Sequence, residues 1–137
     1  SISSPHGTFV ARFAMDLKAI GEALVAHCNA GTEREALKTL YADNAASIEA
    51  TPNPQTGTAV TEGLDGINGK HDWWDGAMET HSAQADGPHL HGDDRFAVYF
   101  QMDATDKESG QRFDMKEVGV YTVADGKIVK EEFFYTM

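Results

Sequence analysis

Hydrophobic and polar positions alternate most clearly toward the end of the chain, from Gln111 to Met137. That stretch reads QRFDMKEVGVYTVADGKIVKEEFFYTM, two β-rich runs on either side of Asp125-Gly126. An Asp-Gly pair between alternating runs predicts a two-residue type I′ hairpin, because both residues tolerate positive φ. The turn then sets the register: Val123 opposite Ile128, Tyr121 opposite Lys130, Gly119 opposite Glu132 and Glu117 opposite Phe134, all on one face. The other face takes Val118, Val120 and Thr122 with Val129, Glu131, Phe133 and Tyr135. Both faces are substantially apolar, so both are expected to be covered, one by helices of the same chain and the other by a second subunit. The first face also holds two acids, Glu117 and Glu132, amid Met115, Tyr121, Ile128 and Phe134. Carboxylates are seldom buried without a reason.

The preceding strand is the cleanest of all. From Arg95 to Thr105, Phe96, Val98, Phe100, Met102 and Ala104 alternate with Arg95, Ala97, Tyr99, Gln101 and Asp103. A four-residue loop, Lys107 to Gly110 with Gly110 left-handed, pairs Asp106 with Gln111 and brings Phe96, Val98, Phe100 and Met102 onto the face of Glu117. Toward the start of the chain the period changes to that of a helix. Phe9, Phe13, Leu17, Ile20, Leu24 and Cys28 recur at spacings of three and four, predicting one helix from about Thr8 to Ala30. Thr32-Glu33-Arg34-Glu35 reads as a capping box that opens a short helix with Leu37, Leu40 and Tyr41 facing inward. Ala45 to Ala50 is a strand candidate and Thr51 to Gly63 a loop. Ile67, His71, Trp74, Met78 and His81 form a single stripe, so a second long helix is expected from about Leu64 to Ser82. Ala83 to Asp94 reads as loop or short strand, interrupted by Gly87-Pro88.

Composition narrows the functions open to such a chain. At 137 residues it predicts one domain over 8–137 behind a polar tail, 1–7. Its 22 acidic against 11 basic residues, a formal net charge of −11, disfavour nucleic acid and anionic membranes as partners. There is no 18-residue apolar run and only one cysteine, Cys28 on the core stripe, so a cytoplasmic location is expected. His89 and His91, two apart near Asp93 and Asp94, are the nearest approach to a metal motif, and that spacing beside Gly and Pro reads as solvated loop. Neither metal nor cofactor is expected.

Helices first and an antiparallel meander afterwards is an α+β layout, with helices on one face of a bent sheet. Leu40-Tyr41-Ala42-Asp43-Asn44-Ala45, Gly66-Ile67-Asn68-Gly69-Lys70 followed by Trp73-Trp74 and His81, and Tyr121 to Ile128 around Asp125-Gly126 resemble the SnoaL-like branch of the nuclear transport factor 2-like superfamily. The resemblance implies helices packed on a strongly curved, mainly antiparallel sheet, a cone with an internal pocket, and dimers through the outer sheet face. In SnoaL-like polyketide cyclases the general acid/base lies on the penultimate strand, and its place here, counted back from the turn, is Gly119. No acid is inherited at that position.

Two functions from different classes follow. One is a small-molecule-binding protein holding an apolar or amphipathic compound. The other is an acid/base enzyme of isomerase, cyclase or dehydratase type acting on a small apolar carbonyl compound. In the second, Glu132 and Glu117 are the candidate acid/base groups and His81 or Tyr121 would polarise the carbonyl. The pocket wall is expected from Phe13 or Leu17, Trp74, Met78, Phe100, Met115, Tyr121 and Phe134, and the dimer contact from Val118, Val120, Phe133, Tyr135 and Tyr99.

Overall fold

The computed structural model describes residues 15–136; the expected tail 1–7, the stripe positions Phe9, Val10 and Phe13, and Met137 lie outside them. Helix α1 spans Leu17–Ala30, α2 Glu33–Leu40 and α3 Leu64–Ala77. The strands are β1 Tyr41–Ile48, β2 Val60–Glu62, β3 Met78–His91, β4 Arg95–Asp106, β5 Arg112–Ala124 and β6 Lys127–Phe134. They form one six-stranded sheet in the order β2-β1-β6-β5-β4-β3. Every neighbouring pair is antiparallel except β1 with β6, which is parallel. The molecule is thus α+β with a mixed sheet. The core between helices and sheet is built from Ile20, Leu24, Leu37, Leu40, Tyr41, Ile67, Phe96, Val98, Tyr121 and Ile128.

Helix α1 begins later than its apolar stripe predicts. Asp16 is extended and its carboxylate accepts the Ala19 N–H at 2.8 Å, the geometry of an N-cap, which ends the helix there. Gly31, at φ 72°, closes the other end. Thr32 does precede α2, but its hydroxyl lies 2.7 Å from His27 Nδ1 instead of capping the helix. Tyr41 belongs to β1 rather than to α2.

The largest departure is β3. The stripe Ile67, His71, Trp74, Met78, His81 predicts a helix to Ser82, whereas α3 ends at Ala77 and a fourteen-residue strand follows. The backbone of β4 explains it: twelve residues of open edge need hydrogen-bond partners, and Met78–His91 supplies them from Asp106 back to Arg95. Local helix periodicity loses to the ladder.

The two hairpins behave differently. Between β4 and β5 the structure follows the sequence, with Asp106 N–H donating to Gln111 O at 2.9 Å, Gly110 at φ 74° and Phe100 opposite Glu117. Between β5 and β6 the turn is as predicted, with φ 53° at Asp125, 74° at Gly126, and Val123 opposite Ile128. One step later the ladder slips. Thr122 pairs with Lys130, Tyr121 with Glu131, Val120 with Glu132, Gly119 with Phe133 and Val118 with Phe134. Val129 is the extra residue of a β-bulge, and one extra residue exchanges the two faces of everything beyond it.

Candidate functional site

The slip decides which acid is buried. Glu131, not Glu132, stands opposite Tyr121 on the inner face, and it is 6% exposed. Glu132 is turned to the outer face, where it meets Lys130 at 3.4 Å, and Phe134 is 53% exposed while Phe133 packs inward. The expectation that Glu132 and Phe134 share a face with Glu117 is therefore overturned. So is the expectation that Phe133 lies on the outer face.

The inner face is a layer of aromatic rings with acids at its edge. Phe96 and Tyr121 stack at 5.0 Å, Tyr121 meets Phe133 edge-on at 6.3 Å, and Phe133 and Phe100 are tilted at 6.5 Å. Gly119 sits among them. A Cβ there would lie 3.0 Å from Phe100 Cε2, 3.0 Å from Tyr121 Cε1 and 3.2 Å from Phe133 Cε1. The rings occupy the space that an acid at this position would need.

Around that layer a polar network runs from the core to the rim. Tyr41 Oη donates to Glu131 Oε1 in a short hydrogen bond, and Ser47 Oγ donates to Oε2 at 2.6 Å. Ser47, fully buried, in turn accepts from Lys70 Nζ at 2.7 Å. Lys70 also makes a close ion pair with Glu49, whose other oxygen accepts from Tyr135 Oη at 3.0 Å. Lys70 Nζ lies 5.4 Å from the centroid of Phe133. Burial pushes the Glu131 carboxyl up from the usual carboxylate range, and the Ser47 and Tyr41 hydroxyls pull it back. The Tyr41 and Tyr121 phenols are raised by burial and then by the Glu131 charge.

Glu117 differs from both of these acids. It accepts no side-chain hydrogen bond among the described residues, and its carboxyl is pushed up to about 7, first by burial and then by the charge of Glu49, with Lys70 opposing. It lines an open cavity of about 990 Å³ together with Asn29, Ala85, Phe100, Phe134 and Tyr135. The Asn29 amide fixes one wall, donating to Ala85 O at 3.0 Å and accepting from Ala85 N–H at 2.8 Å.

Of the expected pocket residues, Glu117, Phe100 and Phe134 border this cavity, whereas Trp74, Met78, Met115, Tyr121, His81 and Glu132 do not. Trp74 donates from Nε1 to Thr80 Oγ1 at 2.9 Å and meets Phe113 edge-on at 6.4 Å. Met78 opens β3 opposite Asp106, Met115 faces Met102, Leu17 packs on the core, and Tyr121 is buried in the ring layer. His81 is an exposed bulge residue of β3, 2.7 Å from Thr105 Oγ1, because the helix meant to carry it ends four residues earlier. His89 stacks on Tyr99 at 4.5 Å and reaches Asp86 at 3.3 Å. Among the described residues no group of three or more His, Cys, Asp or Glu is arranged to hold a metal. Tyr41, Ser47, Glu49, Lys70 and Glu131 come together from β1, the turn after it, α3 and β6. Their separation along the chain hides them, and the adjacent pair Glu131-Glu132 is the one visible sign that an acid must face inward.

Residues 19–135 match the family described as SnoaL-like domain. The fold is similar to that of a candidate SnoaL-like polyketide cyclase [carbohydrate phosphatase] from Mesorhizobium loti, at 36% identity over 88% of this chain and 100% of that one, with a TM-score of 0.81. It is similar also to an NTF2-like protein from Burkholderia thailandensis, at 19% identity over 89% and 92% of the two chains with a TM-score of 0.74. A protein of unknown function with a cystatin-like fold from Xanthomonas campestris aligns at 16% identity over 90% and 92%, with a TM-score of 0.69. No match is found among curated proteins.

Proposed function

We propose, from the premise that this chain belongs to the SnoaL-like domain family, that it binds a small amphipathic molecule in the cavity beside Glu117. The observation that carries this reading is the position of Glu117: a half-buried carboxyl that borders a cavity and has no donor among the described residues. Glu131 and Glu49 are already satisfied by Tyr41, Ser47, Lys70 and Tyr135, so Glu117 is the acid left to meet a ligand. Phe100 and Tyr135 beside it give apolar area for the ligand's body. A small-molecule fragment screen followed by NMR is the test. Binders should shift Glu117, Phe100 and Ala85 together; binders that perturb other surfaces and leave these three unmoved would refute it.

A second reading, acid/base catalysis, has its own support. A carboxyl at about 7 is half ionised at neutral pH and can take and return a proton, which a free glutamate does poorly there. In this reading Glu117 is the acid/base group, and neither Glu132 nor His81 takes part. Glu117→Gln should then lower turnover of an isomerisable carbonyl compound by about 100-fold or more. Activity within twofold of the parent would exclude Glu117 as that group.

The outer sheet face supports a further part of the reading, a homodimer. Tyr99 and Phe134, 49% and 53% exposed, flank Val118 across neighbouring strands. Of the expected centre, Val118, Val120 and Tyr99 keep the outer face, and Phe134 takes the place of Phe133, which packs inward, and of Tyr135, which turns to Glu49.

A further inference from the structure

The charges around Glu117 do not balance. Glu49 from the turn after β1, Glu117 from β5 and Glu131 from β6 lie within electrostatic reach of one another, and α3 contributes one base, Lys70. Lys70 is committed to Glu49 and Ser47, and Glu131 is held by two hydroxyls. Tyr121, next on the inner face of β5, is a buried phenol with no charge to offer at neutral pH. The other titratable residues that border the cavity are Asp86 of β3, Tyr99 of β4, Lys116 of β5 and Tyr135, of which Asp86 and Tyr99 pair with each other on the face opposite Glu117. Lys116 is exposed and pairs with Gln101, so it stands on the face opposite Glu117. A surplus of negative charge at a poorly solvated site is relieved in two ways, by a proton or by a cation.

We propose that the ligand of this cavity is an organic cation, a small amine with an apolar body, its ammonium against the Glu117 carboxylate and its hydrocarbon on Phe100 and Tyr135. This rests on the reading of the cavity as a ligand site. The charge surplus favours a cation over an anion or a neutral acceptor, which would need Glu117 protonated to receive a hydrogen bond. Aromatic faces at the cavity wall add attraction for an ammonium, and a chain of net charge −11 draws cations toward it.

A matched pair of probes tests the inference: cyclohexylmethylamine and its neutral counterpart cyclohexylmethanol, each titrated calorimetrically into the whole protein at pH 6 and pH 8. The amine stays protonated at both values while Glu117, at about 7, passes from mostly protonated to mostly ionised. Amine affinity should rise roughly tenfold between the two pH values, with no such rise for the alcohol. In Glu117→Gln the amine should lose both that rise and its advantage over the alcohol. An amine that binds no tighter than the alcohol at pH 8, or more weakly at pH 8 than at pH 6, overturns the inference and leaves the cavity a site for neutral molecules. If neither probe binds, the cavity reading falls and the inference with it. The comparison of pH values in the parent protein needs no variant, so a folding defect in Glu117→Gln does not shield the proposal.

Discussion

Glu117, half-buried, and Glu131, buried, are both acids of the inner face, yet they answer differently to removal of charge. Glu117 has its folded pKa raised to about 7 from 4.5, so between those values the native state holds a proton that the unfolded chain has lost. Stability therefore falls as pH rises across that window, and the full penalty applies above 7. Glu117→Gln should stabilise the free protein by about 2 kcal/mol at pH 8 and change nothing at pH 4. Urea unfolding at the two pH values measures this, and equal stabilities at pH 8 would contradict the burial cost. Glu131 is a bound acid, and the loss of a donor is what it feels. Tyr41→Phe leaves one buried oxygen with no hydroxyl, should cost about 1–3 kcal/mol, and should raise the Glu131 pKa further. A variant as stable as its parent would mean that the Tyr41 hydroxyl contributes nothing. Alternation along β5 was enough to pick Glu117, since its pairing with Phe100 follows from the Lys107–Gly110 loop. Nothing local distinguishes Glu131 from Glu132, because the choice rests on a bulge two residues earlier.

At the scale of elements, the bulge at Val129 governs the site. A hairpin turn fixes pairing only as far as the first irregularity, and Val-Lys-Glu-Glu bears no Gly or Pro to announce one. Deleting Val129 should make the ladder continuous, with Lys130 next to Ile128 and Glu131 still opposite Tyr121. The variant should fold with Glu131 buried, and a Glu131 side chain that titrates like an exposed acid in NMR would show that the bulge holds it inward. The boundary between α3 and β3 shows the other limit of periodicity. Trp74 and Met78 are four apart and read as one helical face, yet the edge of β4 claims Met78 onward, and His81 leaves with it. An edge in need of partners is a property of the assembled sheet and has no mark in the segment that will fill it.

For the whole molecule, helices followed by an antiparallel meander were legible because the two are separated along the chain, and the resemblance to SnoaL-like proteins implied helices on a mainly antiparallel sheet; β2, which falls within the expected loop Thr51 to Gly63, and the parallel neighbour of β6 were in neither reading. The outer face leads to a prediction of assembly: light scattering should give twice 14.9 kDa, and Tyr99→Glu with Phe134→Glu should return the mass to one chain. A parent that scatters as a single chain at micromolar concentration would remove the homodimer. The parallel pairing of β1 with β6 bears instead on the order of events in folding. Ser47 meets Glu131 across 84 residues, whereas the β3 to β6 meander joins strands that follow one another. Closing the longer loop costs more chain entropy, so the meander has reason to form first and β1 to dock late. Because β1 brings the Tyr41 and Ser47 hydroxyls with it, Glu131 stays hydrated until that step and gives up its water only then. Pulse-labelling hydrogen exchange should find the amides of β4 and β5 protected before those of β1, with the drying of one carboxylate as the last event on the way to the native state.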